Sequence, residues 1–180
     1  MATAYAGDND ATGALPSVSA LLRAFRSTTP PPGDHPVLEA ARELVRCHEL
    51  RRHASREAQA PKASTARVAG ASRLVDHIDR DRTRLIECID VWVADNIAHR
   101  EGASLHTETL GAVIDRMAGK WVAAHHALGL PASNYPADEL PASTPDGEAH
   151  LHWVRLAELA DGYKDLITDI AEHRRRLPVF

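Results

Sequence analysis

Residues 74–93, LVDHIDRDRTRLIECIDVWV, decide the fold class because their apolar side chains recur at the spacing of an α-helix. One stripe consists of Leu74, Ile78, Leu85, Ile89 and Trp92, with Val75, Ile86 and Val93 alongside. A strand would instead alternate apolar and polar side chains at every second position. This stretch therefore predicts the centre of a long helix from about Thr65 to Arg100, which Gly102 ends.

The flanking sequence predicts three further long helices and a short one. The long ones cover about Pro36 to Ala58, a segment that begins near Thr107 or Thr109 and reaches Leu128, and about Glu148 to Arg176. The short one covers about 17–26. The predicted fold is all-α, a single-domain antiparallel bundle of four long helices with a short N-terminal helix. Residues 1–33 form a flexible N-terminal segment in this prediction, and residues 34–180 form the bundle.

Two segments are predicted to lie outside the helices. Residues 1–15 are small and polar, which predicts disorder. Residues 129–147 hold four prolines, and a loop of this length inside a domain is often a functional lid. The basic run at 173–176 is interpreted as a favourable end to the last helix, whose C-terminus carries a partial negative charge.

Composition excludes several classes of protein. The 180 residues carry a formal charge of −4 with both signs well mixed, so nothing resembles the basic footprint of a nucleic-acid binder. No run of 18 apolar residues exists, which predicts no membrane span. No signal peptide is visible, so the expected location is cytoplasmic, with Cys47 and Cys88 as reduced, packed thiols.

Several polar residues fall on helix faces that should be apolar. Asp79 and Arg82 lie among the apolar positions of the second long helix, where they either pair with each other or line a polar cavity. His125 should point inward, as a hydrogen-bonded core residue or as an acid/base group. Arg116 and Lys120 form a like-charged pair one turn apart, which indicates two solvated side chains or an anion between them.

A metal site is an open alternative, although no cofactor is predicted. Carboxylate-bridged di-iron bundles use Glu-x-x-His motifs, and this chain contains none. An oxygen-rich site could still form from Glu57, Glu87, Glu108, Asp115 and His125.

Two segments resemble a bacterial family known as domain of unknown function 4254. Residues 75–90, VDHIDRDRTRLIECID, resemble the family's I-D-x-x-N-x-x-R-x-x-x-I-E-x-I-D helix, with Asp79 where Asn is usual. Residues 107–117, TETLGAVIDRM, are similar to its T-E-[ST]-P-G-x-x-I-D-R-L stretch, with Leu110 replacing Pro. Lys120 and His125 then fall at the positions of L-K-x-x-x-x-H. The segment from His53 to Glu57 resembles the family's W-x-x-E-D motif more weakly. The tryptophan of that motif is absent, and Ala58 stands in place of its Asp.

The resemblance implies a helical protein of bacterial saccharide or specialised metabolism. A helical bundle of this size, however, is not a fold that binds nucleotide sugars. The Ala- and Arg-rich composition is typical of a GC-rich actinobacterial source. The favoured hypothesis is a small enzyme that acts on an anionic small molecule in a polar cavity of the bundle. In it Glu108, His125 and Glu87 are the acid/base residues. The expected substrate-binding residues are Arg82, Arg116, Lys120, Asp79, Glu57 and Asp115.

The alternative is a non-catalytic scaffold or accessory protein that forms a homo-oligomer. In that case Asp79–Arg82 and Asp115–Arg116 are structural ion pairs that specify helix register. Trp92 and Trp121 then anchor the core or an interface.

Overall fold

The computed structural model describes residues 14–29, 33, 35–130, 132 and 146–178. Within them the chain forms five helices: α1 (Val18–Arg26), α2 (Pro36–Gln59), α3 (Thr65–Asn96), α4 (Leu110–Ala127) and α5 (Asp146–Ala171). Two strands of two residues each, β1 (Ser104–Leu105) and β2 (Arg175–Arg176), pair in parallel. The predicted all-α class is confirmed, while the finer antiparallel four-helix arrangement stays a prediction.

Local chemistry explains where the helices begin. The side chains of Ser17, Ser64 and Thr109 each accept a hydrogen bond from a backbone N–H of the first turn that has no partner within the helix. The prediction that α4 begins at a threonine cap is confirmed at Thr109. Pro36 occupies the first position of α2, where its missing N–H costs no helical hydrogen bond.

The core is centred on α2 and α4. The α2 helix packs against α1, α3 and α4, and α4 packs in turn against α3 and α5. Leucine, valine, isoleucine and alanine side chains dominate this core, together with Phe25, Met117, Trp121 and Tyr163. Because α2 and α4 face each other, polar side chains on their contacting faces meet between them.

The last helix ends earlier than predicted. It stops at Ala171, and His173 adopts a left-handed backbone with a φ of 57°. The N–H of Arg174 then donates to the carbonyl of Asp169 at 2.8 Å, the hydrogen bond of a helix-terminating turn. The prediction that the basic run ends the helix at Arg176 is therefore wrong, because that residue lies in β2.

The predicted disorder of residues 1–15 and the predicted lid at 129–147 lie largely outside the described residues. Cys47 is buried and Cys88 is exposed, so the expectation of a packed thiol is wrong for Cys88. Both are free thiols, and burial, with a smaller effect of Asp81, raises the pKa of Cys47 to about 11. No helix in the described ranges has the length and apolarity that crossing a bilayer requires.

Candidate functional site

Arg82 joins α3 to α4 through a two-point ion pair. Its Nε lies 3.1 Å from Oδ1 of Asp115, and its Nη2 lies 2.7 Å from Oδ2. Its Nη1 also donates to Oδ1 of Asp79 at 2.8 Å, which confirms the predicted pair one turn apart. The side chains of Arg82 and Asp115 are 22% and 13% exposed, so the pair is largely removed from water. A guanidinium that faces a carboxylate in this way is held in one orientation.

Asp115 is the centre of the network. Burial alone would raise its pKa, but hydrogen bonds from His48 and Arg82 outweigh burial and lower the pKa to about 2. The carboxylate is therefore ionised near neutral pH. The hydrogen bond to Asp115 likewise raises the pKa of Arg82. The contact between α2, α3 and α4 thus holds an ionised carboxylate whose charge Arg82 balances.

His48 of α2 is oriented by Asp115 of α4. Its Nε2 lies 2.9 Å from Oδ1 of Asp115 and 3.1 Å from the carbonyl oxygen of the same residue. Both partners only accept hydrogen bonds, so Nε2 carries the proton. In the neutral imidazole Nδ1 then holds a free lone pair, and it has no hydrogen-bond partner within the described residues.

A cleft of about 260 Å³ lies between α2 and α4 beside His48. Its remaining lining consists of Arg51, Arg52, Ser55, Gly119, Val122 and Ala123. Gly119 faces the imidazole, because a Cβ at this position would lie 3.0 Å from Cε1 of His48 and 3.3 Å from its Nδ1. The glycine thus leaves room for the ring, and the cleft presents basic side chains and a hydroxyl but no carboxylate.

Arg51 is held at the edge of the cleft by the same network. Its Nε donates to Oδ1 of Asp79 at 2.9 Å. Burial opposes ionisation of Asp79, yet hydrogen bonds from Arg51 and Arg82 lower its pKa. One chain of contacts therefore runs from Arg51 through Asp79, Arg82 and Asp115 to His48, which fixes three helices relative to each other.

A second contact sets the start of α4 against α3. The N–H of Gly111 donates to Oδ1 of Asp90 at 2.8 Å. Burial raises the pKa of Asp90. A Cβ at Gly111 would lie 2.6 Å from the backbone carbonyl oxygen of Ile86, so only glycine permits this approach. The approach brings α4 close enough for Asp115, one turn further along, to reach Arg82.

The pH dependence of stability should follow Asp115. Its pKa rises from about 2 in the folded protein to 3.8, its ordinary value, in the unfolded chain, so the unfolded chain binds more protons between these values. The stabilisation is complete above about pH 4 and is lost as the pH falls through about 2. We expect the gap in free energy of unfolding between wild type and Asp115→Asn to narrow by about 2 kcal/mol over this window. Urea unfolding of both proteins at several pH values measures this difference. A difference in free energy of unfolding that stays constant with pH contradicts the prediction.

The structure brings together only some of the predicted site residues. Asp79, Arg82 and Asp115 meet in the network. Arg116 pairs with Glu108 rather than with Asp115, and Lys120 has no ion pair within the described residues.

The remaining candidates lie elsewhere. Glu57 lies 3.6 Å from His53 and 3.8 Å from Arg67, and Glu87 is exposed. Glu108 precedes α4 and His125 lies in its last turn, more than about 20 Å apart at 1.5 Å of rise per residue.

His125 occupies an aromatic cluster instead of the cleft. Its ring lies 4.1 Å from that of Trp121 and 5.1 Å from that of Trp153 between centroids, and its Nδ1 donates to the carbonyl of Trp121 at 3.0 Å. Burial lowers its pKa. This environment matches the hydrogen-bonded core histidine, which was one of its two interpretations.

The metal-ligand set is not assembled. Across the ranges that the structure describes, no group of three His, Cys, Asp or Glu side chains is placed to hold a metal ion.

Sequence reasoning did not assign the cleft to His48, Arg52 and Gly119. Two signals point to it. His48 continues the apolar stripe of α2, so an ionisable ring faces the interior there. Gly119 interrupts an otherwise good helix, and a helix-interior glycine often marks a close approach. The missing information was that these two positions face each other across the helix contact.

Comparison with known proteins identifies a family but no characterised relative. The model of the family described as "Protein of unknown function (DUF4254)" matches residues 38–179. No curated protein and no solved structure gives a significant match. The match spans α2 to β2 and so contains every residue of the network and the cleft.

Proposed function

Because the chain belongs to the DUF4254 family, we propose its function from its own residues: an enzyme that performs acid/base chemistry on an anionic small molecule in the cleft between α2 and α4. This keeps the reaction class expected from the sequence but moves the acid/base role to His48. It also moves the cationic role from Arg116 and Lys120 to Arg51 and Arg52.

The observation that carries the proposal is the Asp115–His48 pair. A general base needs a lone pair directed at the substrate and a second group that fixes its tautomer. Asp115 supplies the second requirement at 2.9 Å. His48 lines the cleft and keeps Nδ1 for the first, because its Nε2 makes the hydrogen bonds to Asp115. Once Nδ1 has taken a proton, the Asp115 carboxylate stabilises the imidazolium, as an orienting carboxylate does in a catalytic triad.

The charges around the cleft favour an anionic substrate. Arg51 and Arg52 both line it, and no carboxylate is among its lining residues. The neighbouring carboxylates, Asp79 and Asp115, are already engaged by arginines. A negative group would therefore find donors in the cleft without meeting a repelling charge, and Ser55 adds a neutral hydroxyl.

The non-catalytic scaffold is the second candidate, and exposed apolar side chains on α3 favour it. Val91 is 60% exposed and Leu74 is 44% exposed, and these are two separate apolar contacts that the helix offers to a second copy. In that case the ion-pair network only sets helix register. A cleft that binds no anion, together with a dimeric mass in solution, would support this candidate over the enzyme.

We expect His48→Gln to slow the reaction strongly while leaving substrate binding largely intact, because glutamine keeps the approximate size of the side chain but cannot take up a proton. Phosphorylated sugars, uronic acids and small keto and hydroxy acids are incubated with the protein in D2O. Proton NMR then follows solvent exchange or conversion of each compound. A compound that reacts with wild type should react about 100-fold more slowly, or more slowly still, with the variant.

The matched control is His150→Gln, which replaces an exposed histidine of α5 and should react like wild type. Thermal shift with the same compounds reports binding separately from reaction. Turnover that survives in His48→Gln would assign the proton transfer to another group. Absence of both binding and turnover across the panel would favour the scaffold.

A further inference from the structure

Two arginines of α2 converge on one histidine of α4, and one of these arginines, Arg52, also lines the cleft. Nη2 of Arg52 lies 2.9 Å from Nδ1 of His126, and Nη2 of Arg56 lies 3.2 Å from the same atom. Within the described residues no carboxylate pairs with either guanidinium. Glu148 of α5 acts on Arg52 through its charge, without an ion pair. Two positive charges therefore share one neutral acceptor.

The pKa of His126 reflects its burial and the positive charge of this cluster. Burial, reinforced by the charges of Arg52 and Arg56, lowers the pKa of His126 to about 4. The ring is therefore neutral near pH 7 and accepts both arginine hydrogen bonds at Nδ1, so its proton lies on Nε2. That Nε2 is buried without a hydrogen-bond partner. Within the part of the chain that the structure describes, the guanidiniums of Arg52 and Arg56 thus have no carboxylate partner, and His126 offers them only a neutral acceptor.

We infer that Arg52, Arg56 and His126 bind the phosphate group of a small phosphate monoester. Assigning this ester as the substrate rests on the proposed function, whereas the binding itself does not. A monoester carries a charge of about −1.5 to −2 near neutral pH and three acceptor oxygens, which matches two guanidiniums. A single guanidinium already satisfies a carboxylate through two parallel hydrogen bonds, so a pair of them favours phosphate over carboxylate.

The position of the cluster sets the length of the substrate. His126 lies seven residues beyond Gly119 on α4, and Arg52 lies four residues beyond His48 on α2. At 1.5 Å of rise per residue, the phosphate lies about 6–10 Å along the helices from the His48 ring. A substrate that fits carries its phosphate several bonds from the atom that exchanges a proton. The cleft of about 260 Å³ between these groups holds the rest of the molecule.

The test follows the ring signals of His126 by long-range proton–nitrogen NMR during titration at constant ionic strength. The probes are glycerol 3-phosphate, inorganic phosphate and acetate. We expect glycerol 3-phosphate to shift the His126 signals and to raise the pKa of His126, because the bound dianion offsets both guanidiniums. Arg52→Gln and Arg56→Gln should each weaken its binding about tenfold or more, the usual effect of losing a charge-assisted hydrogen bond.

Two variants serve as controls. Arg100→Gln replaces an exposed arginine in the segment after α3 and should bind glycerol 3-phosphate like wild type. His48→Gln should also bind glycerol 3-phosphate like wild type. The binding test therefore stands even if His48 proves not to be the acid/base residue. The inference is overturned if acetate binds as tightly as glycerol 3-phosphate. It is overturned as well if inorganic phosphate binds and glycerol 3-phosphate does not. It is also overturned if neither Arg52→Gln nor Arg56→Gln weakens binding.

Discussion

Asp115→Asn should lower the free energy of unfolding by about 3 kcal/mol, because it leaves the largely buried Arg82 guanidinium without its main counter-charge. Asparagine keeps the shape of the side chain but removes the charge that both Arg82 and His48 face. Asp79 still contacts Arg82, but it also serves Arg51 and is itself 38% exposed. Urea unfolding near pH 7 measures the change.

The control is Asp165→Asn on α5, an exposed carboxylate that should change stability by less than about 0.5 kcal/mol. A double-mutant cycle with Arg82→Met tests the cause. If the arginine and the carboxylate act as a pair, the double variant is less destabilised than the sum of the single ones, by about 1–3 kcal/mol. Additive effects would mean that the network stabilises the fold through other contacts.

Gly111→Ala should destabilise the protein by about 2 kcal/mol or more, because the new methyl group meets backbone rather than a movable side chain. The added Cβ would lie 2.6 Å from the carbonyl oxygen of Ile86 and 2.9 Å from Oδ1 of Asp90. The start of α4 must therefore move away from α3, which lengthens the hydrogen bond from Gly111 to Asp90. Thermal and urea unfolding of the variant measure the loss.

Gly162→Ala is the matched control, because it lies inside α5 with no atom within 4 Å of an added Cβ. Alanine is the better helix former there, so this variant should be more stable by about 0.5–1 kcal/mol. Equal effects of the two substitutions would mean that α3 and α4 separate at little cost. In that case the contact at Gly111 would not determine the position of Asp115.

The helices were predictable because each is encoded by its own side chains. The stripe through Ile78 and Ile89 predicted α3, and the cap at Thr109 predicted the start of α4. The Asp79–Arg82 pair was predictable for the same reason, since both residues lie on one helix. The end of α5 was missed because a left-handed residue such as His173 leaves no signal in hydrophobic periodicity.

The candidate site was only partly predictable because it depends on how helices are placed against each other. His48 and Asp115 are 67 positions apart, and no wheel of one helix shows that they meet. The prediction chose His125 on α4, whereas the neighbouring His126 lies in the arginine cluster. One residue of helix corresponds to a rotation of about 100°, enough to separate a core ring from a cleft ring.

The parallel pairing of β1 with β2 has a kinetic consequence. It joins Ser104 to Arg175, which are 71 positions apart. The two ends of the intervening chain must therefore come together before any hydrogen bond of the pairing forms. Contacts between residues so far apart in the sequence are slow to form. A pairing of only two residues offsets little of the conformational entropy lost on loop closure until α5 has docked. We therefore expect the pairing to form late in folding, and the connection between α3 and α4 to become ordered only after α5 has docked.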